Sequence, residues 1–383
     1  MLTNLILGLT TVLTISALYA PQPLLPAIVA AFGVTPTVAA TLTSVTFLPL
    51  ALAPLFYGYI LEVLAPRTVL LGAVALLTLS EVAFYFAPTF ALLIALRLFQ
   101  GLLIPALLTA LMTYVSRDSS AATVQRRMAA YIAATILGGF LGRSGSGLIA
   151  TLFGWRFSFL VLAFSLVVCF VLLLHLPAQQ ALTTLRPAPR LVLEVLREPV
   201  RRRTYLAIFC MFLVFAAIMN FIPFRLLEIS SDASEFRIGL IYVGYIMGIV
   251  MSLNAVYIRT FLGGEIPTMA IGLGGMALAL AGMVTTNIAL LFISMFVFCG
   301  AMFLTHATAS GWLNRRADDH KGIVNGLYVA FYYGGGVVGS WLPGYVYHYA
   351  GWTIFLLALM AVAGLSSYLF LTLPVTLDIN RDS

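Results

Sequence analysis

Apolar runs of about 20 residues recur along the whole chain, separated by short turns rich in glycine, proline or charge. A helix of about 20 residues is long enough to cross the hydrocarbon core of a bilayer. The pattern predicts twelve such helices, at 4–26, 36–61, 67–86, 90–114, 127–152, 156–176, 204–228, 236–260, 266–284, 287–313, 321–349 and 353–373. The first run has no basic segment before it and no small-residue cleavage site after it, so it is expected to stay as a spanning helix. The longest polar interval, 177–203, holds Arg186, Arg190, Arg197 and the run Arg201-Arg202-Arg203. It is the expected linker between two six-helix halves, 1–176 and 204–383. The fold class is therefore an all-α integral membrane protein with two pseudo-symmetric halves.

The halves share a repeat. Tyr131 to Trp155 recurs, without a gap, 197 residues later as Tyr328 to Trp352. Gly138, Gly139, Gly142, Gly147 and Gly154 coincide with Gly335, Gly336, Gly339, Gly344 and Gly351, and both copies end in Gly-Trp. Glycine lowers helix propensity and is retained where two backbones approach closely. Gly138, Gly142 and Gly147, with Gly335, Gly339 and Gly344, are thus expected at equivalent helix interfaces. Repeated halves of this kind place substrate sites near the midplane between them.

Composition agrees with this picture: 62% of residues are hydrophobic and 9% are charged, against about 25% charged in a soluble domain. The net charge of +7 follows topology and forms no nucleic-acid surface. With both termini cytoplasmic, 15 of the 20 basic residues fall on the inner side, the arginine-rich linker among them. The positive-inside rule then predicts a multi-pass protein of the cell (inner) membrane with both ends inside. Cys169, Cys210 and Cys299 lie within apolar runs and are expected as buried small hydrophobes. No nucleotide loop and no Cys/His ligand cluster is present, so no metal, cofactor or enzyme activity is expected.

Two outer helix ends carry prolines. Pro21, Pro23 and Pro26 interrupt the first helix beside Tyr19 and Gln22, and Asn220 to Glu228, with Pro223 and Arg225, is the expected counterpart in the seventh. Proline frees backbone carbonyls, and broken helices inside membranes border cavities. Buried ionisable groups cost roughly 2.5–3.5 kcal/mol each on insertion scales, so each requires a reason. Glu81 and Arg97 lie at similar depth on the third and fourth helices. They are expected either as a fixed ion pair or as a proton-exchanging carboxyl tuned by its arginine. Arg143 lies near the middle of the fifth helix, where its repeat counterpart is Ser340. It suits an anionic or polar substrate group, since the guanidinium fork binds carboxylate or phosphate at two points; the alternative is pairing with Glu81 or with freed carbonyls. His306 is a candidate proton relay or a satisfied structural histidine. Gln100, Asn220 and Asn254 could line a polar path or join helices, and Tyr332, among Tyr328, Phe331 and Tyr333, could stack on a substrate or simply pack.

These motifs resemble the major facilitator superfamily over essentially the whole chain. Within it they resemble the twelve-helix drug:proton antiporters and the sugar and small-metabolite efflux permeases. Arg97-Leu98-Phe99-Gln100-Gly101 is similar to the R-x-x-Q-G signature of that branch. Gly138 to Gly147 is similar to its antiporter motif, with Arg143 standing where the family usually has proline. Gly58, Glu62 and Arg67 resemble the loop that latches the halves on the cytoplasmic side. The resemblance implies outward transport of a small organic solute by proton antiport, through alternating access of a monomer. Glu81, Arg97 and His306 are the proton candidates. Tyr19, Gln22, Gln100, Arg143, Asn220, Arg225 and Tyr332 are the substrate-path candidates. An importer or uniporter, or a non-transporting membrane sensor or assembly partner, are the competing expectations.

Overall fold

A computed structural model describes residues 2–53, 57, 64–116, 121–177, 189–230, 232–316 and 321–373. All twelve expected helices have a counterpart, numbered here α1 to α12. α1 comprises Leu2–Tyr19, a 3-10 turn at Gln22–Leu24 and the segment Leu25–Phe32. α2 is Pro36–Leu52, α3 Pro66–Phe86, α4 Phe90–Ser116, α5 Ala121–Phe153 and α6 Phe157–Leu173. α7 is Pro199–Ile229; α8 comprises Glu235–Leu240, a 3-10 turn at Ile241–Gly244 and Tyr245–Leu253. α9 is Glu265–Gly282 and α10 Ile288–Arg315. α11 and α12 occupy Lys321–Leu371 and part at Gly351.

Local chemistry sets several ends. Thr35, Ser234 and Asn287 each cap a helix by accepting a backbone N–H three residues on. Gly154 and Gly351 form the turns that end α5 and α11, with φ of 89° and 80°, a left-handed backbone that a side chain would strain. The repeat therefore copies its turn as well as its helix. Inside the expected linker, Pro189–Arg197 forms a short helix, and the Arg201–Arg203 run belongs to the first turns of α7.

The repeated glycines do equivalent packing. A Cβ on Gly138 would lie 2.6 Å from the Val12 carbonyl oxygen, and one on Gly142 would lie 2.6 Å from the Ser16 Cα. On α11, Gly335 and Gly339 sit equally tight against the Phe209 and Leu213 backbones of α7. Val12 and Ser16 of α1 are themselves 197 residues before Phe209 and Leu213, so each seam, α5 on α1 and α11 on α7, is a copy of the other. The last pair of glycines serves the contact between halves: Gly147 meets the Glu235 backbone of α8, and Gly344 meets Thr37 of α2 and Phe221. Ser144 donates to the Gly239 carbonyl (2.8 Å), and Ser44 donates to the Val337 carbonyl (2.7 Å). Among the described residues, hydrogen bonds and ring contacts between the halves run from the end remote from the linker to mid-helix, at Phe47 with Phe212 and Tyr333.

One expectation needs correction. α7 runs unbroken through Pro223, so it is not a matched partner to the interrupted α1. The second half is interrupted in α8 instead, by the 3-10 turn at Ile241–Gly244. Gly244, the last residue of that turn, lies close against the Met295 backbone of α10, where a side chain would clash.

Candidate functional site

The break in α1 organises the polar interior. Pro21 has no N–H, so the carbonyl of Ala17 loses its helical donor. Arg97 of α4 replaces it: Nη1 donates to Ala17 O (3.0 Å), Nη2 to Leu18 O (2.6 Å) and Nε to Leu42 O of α2 (3.3 Å). Nη1 also reaches Gln100 Oε1 at 2.7 Å. Ser146 of α5 donates to the next exposed carbonyl, Ala20 O (2.9 Å). Arg97 is thus fully buried and occupied by oxygens that carry no net charge. The expected Glu81–Arg97 ion pair is not formed; Glu81 is fully buried on α3 and neither carboxyl oxygen has a hydrogen-bond partner. The Ala17 carbonyl freed by Pro21, together with those of Leu18 and Leu42, holds the guanidinium instead.

Beyond the break, Gln22 projects between the halves and accepts from Arg143 Nε at 2.6 Å. Its Nε2 donates to Asn220 Oδ1 of α7 (2.8 Å), to which Thr43 of α2 also donates (3.2 Å). Asn220 Nδ2 donates in turn to the Ser340 carbonyl of α11 (3.2 Å). The relay therefore begins at Arg143 and ends at its own repeat counterpart, passing through α5, α1, α7 and α11. All five residues are buried. Arg143 Nη1 closes on the Gly139 carbonyl of its own helix (2.7 Å). Three rings enclose the guanidinium carbon: Tyr19 at 3.9 Å, Tyr245 at 4.6 Å and Tyr242 at 5.2 Å. Ring faces attract a cation without cancelling its charge. Among the described residues no carboxylate lies within ion-pair distance of Arg143. The arrangement holds a desolvated positive charge on the boundary between the two halves.

From this charge a wall of aromatic rings extends toward the linker side. Tyr19 contacts Phe47 (6.0 Å between centroids), Phe47 contacts Phe212 (5.8 Å) and Phe212 stacks on Tyr332 (3.6 Å). Tyr332 adjoins His306 of α10 at 4.8 Å. The Tyr328 hydroxyl lies 2.8 Å from His306 Nδ1. Both expected roles of His306 remain consistent with this position.

Other candidates are placed elsewhere. Arg225 pairs with Glu228 (3.0 Å) and lies over Trp352, away from the relay. Asn254 turns back on the Val250 carbonyl (2.8 Å). Of the expected latch, Gly58 and Glu62 lie outside the described residues. Arg67 donates to the Leu174 carbonyl (2.6 Å), within its own half. In the second half, Glu265 holds both Arg259 (2.7 Å) and Arg315 (2.6 Å), joining the start of α9 to the end of α10. Cys169 and Cys299 are buried and Cys210 half-buried, all as free thiols. Among the described residues no three His, Cys, Asp or Glu side chains cluster as a metal site.

Sequence reasoning missed Thr43, Tyr242 and Tyr245. Tyr242 and Tyr245 are three apart and share a helical face, which is the signal that would have found them; Thr43 gives none.

Residues 7–264 match the Major Facilitator Superfamily, and the chain belongs to that family. It is similar to the inner membrane transport protein YnfM of Escherichia coli (strain K12), with 27% identity over 344 residues, 88% of this chain and 82% of that protein. The MFS-type transporter YybF of Bacillus subtilis (strain 168), itself uncharacterized, is 26% identical over 340 residues, 85% of this chain and 81% of its own length. Among solved structures, a D-xylose–proton symporter superposes with a TM-score of 0.78 at 15% identity, covering 97% of each chain. That likeness speaks for the fold. The chain is a multi-pass membrane protein of a transporter family.

Proposed function

We propose that this chain is a secondary transporter that exports a small organic solute bearing an anionic group in exchange for protons. Its moving units are the halves 1–176 and 204–383, joined by the linker at 177–203. One observation carries the proposal: a fully buried guanidinium, with no carboxylate partner among the described residues, at the boundary of the two halves. Arg143, Gln22 and Tyr19 belong to the first half, while Tyr242, Tyr245 and Asn220 belong to the second. A rocking motion that parts the halves breaks the Gln22–Asn220 bond and lifts two tyrosine rings from the guanidinium. An arriving carboxylate then replaces those ring faces with charge-assisted hydrogen bonds, stronger than neutral ones. Binding of the anion thereby follows the conformational state of the transporter.

The arginine-rich linker supports a cytoplasmic position for that end of the bundle. Contacts between the described parts of the halves run from the opposite end to mid-helix, which supports an inward-facing state. The outward direction and proton coupling rest on the resemblance of the α4 and α5 motifs to the antiporter branch. Glu81, buried and unpartnered, is the proposed proton carrier. Arg97 is bound to α1 carbonyls, and its proposed part is to hold the break in place.

Uptake of organic anions into inverted vesicles, with and without an acid interior, tests the proposal. Saturable, gradient-driven uptake is expected. Removing the charge-assisted bonds in Arg143→Ala should lower kcat/KM at least about 100-fold. Wild-type anion uptake by Arg143→Ala would remove the guanidinium from the site.

A further inference from the structure

We infer that the solute is an amphipathic monocarboxylate with an aromatic body, its carboxylate on Arg143 and its ring against Tyr332 and Phe212. The inference rests on the anion-binding role proposed above for Arg143 and adds a substrate class to it.

Charge sets the first limit. Among the described residues Arg143 is the one cation at the site, because Arg97 is already held by three backbone carbonyls and Gln100. A monoanion balances it. A phosphate dianion or a dicarboxylate would leave a second charge desolvated. Hydrogen-bonding capacity sets the second limit. The amides of Gln22 and Asn220 are bonded to each other, and to Arg143, Thr43 and Ser340. Parting the halves frees one amide on each side, few partners for a polyhydroxylated solute.

The walls set the third limit. Phe212 stacks face to face on Tyr332, and Tyr332, unlike Phe212, is only half-buried. Tyr245 continues the wall from Phe215 (5.9 Å) to the guanidinium. A planar body can stack there while its carboxylate reaches the cation. At the far end of the wall, Nδ1 of His306 is engaged by the Tyr328 hydroxyl.

The experiment is flux into proteoliposomes of the purified full chain, with phenylacetate, acetate, citrate, inorganic phosphate, D-xylose and tetraphenylphosphonium as probes. Wild type needs no substitution and so carries no folding risk. Phenylacetate is expected to be transported with a KM at least about tenfold below that of acetate, with citrate, phosphate and xylose inert. Tyr332→Leu should raise the phenylacetate KM about five- to tenfold and leave that of acetate unchanged, which a merely destabilised protein would not do. Arg143→Gln should lose both monocarboxylates. Transport of citrate or phosphate, lost in Arg143→Gln, with phenylacetate inert, would overturn this inference and leave the anion-binding role intact. Uptake of tetraphenylphosphonium that ignores Arg143→Gln would overturn both. Absence of flux for every probe overturns the inference.

Discussion

The two copies of the glycine helix, α5 and α11, use their backbones alike and their side chains differently. Gly138 and Gly142 press on α1 at Val12 and Ser16, as Gly335 and Gly339 press on α7 at Phe209 and Leu213. Yet Arg143 presents a buried charge where its counterpart Ser340 presents only its backbone carbonyl, its hydroxyl having no partner. The same divergence separates Glu81, buried on α3, from the residue at the same offset on α9, Leu278, which is exposed. Packing is duplicated because both halves must be built the same way. Chemistry is not: the buried charge at the boundary comes from the first half alone.

The comparison can be broken most severely at the seams. Gly142→Val and Gly339→Val should each cost more than about 3 kcal/mol through overpacking against backbone that cannot yield. Both should abolish monodisperse protein on size exclusion; if either alone were tolerated, the seams would not be equivalent. Next comes Glu81→Gln, which preserves shape and hydrogen-bonding size. It should leave folded yield within about twofold and remove the dependence of anion flux on the pH gradient. Retained gradient dependence would take the coupling role away from Glu81. The bond between halves should then show as coupling: Gln22→Ala and Asn220→Ala, alone and together, should give an interaction energy of about 0.5–3 kcal/mol in thermal unfolding. Strict additivity would mean the bond contributes nothing. Smallest is Ser340→Ala, expected within about 0.5 kcal/mol of wild type and within about twofold in flux. A large loss there would show that the hydroxyl, and not the carbonyl alone, matters.

Much of the fold was legible because apolar length and glycine spacing are local signals. The repeat marks both glycine helices as close-packing surfaces, but the reading that their glycine faces let the two halves approach is corrected for Gly138, Gly142, Gly335 and Gly339, which pack within their own halves. Arg143, Gln22 and Asn220 stand among the substrate-path candidates. What was not legible depended on competition between partners. Glu81 and Arg97 looked like a pair because opposite charges at equal depth attract, but depth says nothing of the Ala17 and Leu18 carbonyls that reach the guanidinium. Pro223 looked like a break because proline lacks a donor, but one lost bond does not interrupt a helix packed along its length. Tyr242 and Tyr245 were passed over because aromatic residues are common in apolar helices, and only the fold shows which of them meet a cation.

The binding of Arg97 has a mechanical consequence. One side chain ties α4 to both segments of polypeptide that flank the first loop, through Ala17 and Leu18 on one side and Leu42 on the other. A proline-bent rod would otherwise flex at its joint and absorb any force applied to it. With the joint clamped from a neighbouring rod, α1, α2 and α4 are tied together at the level of the bend, beside Gln22.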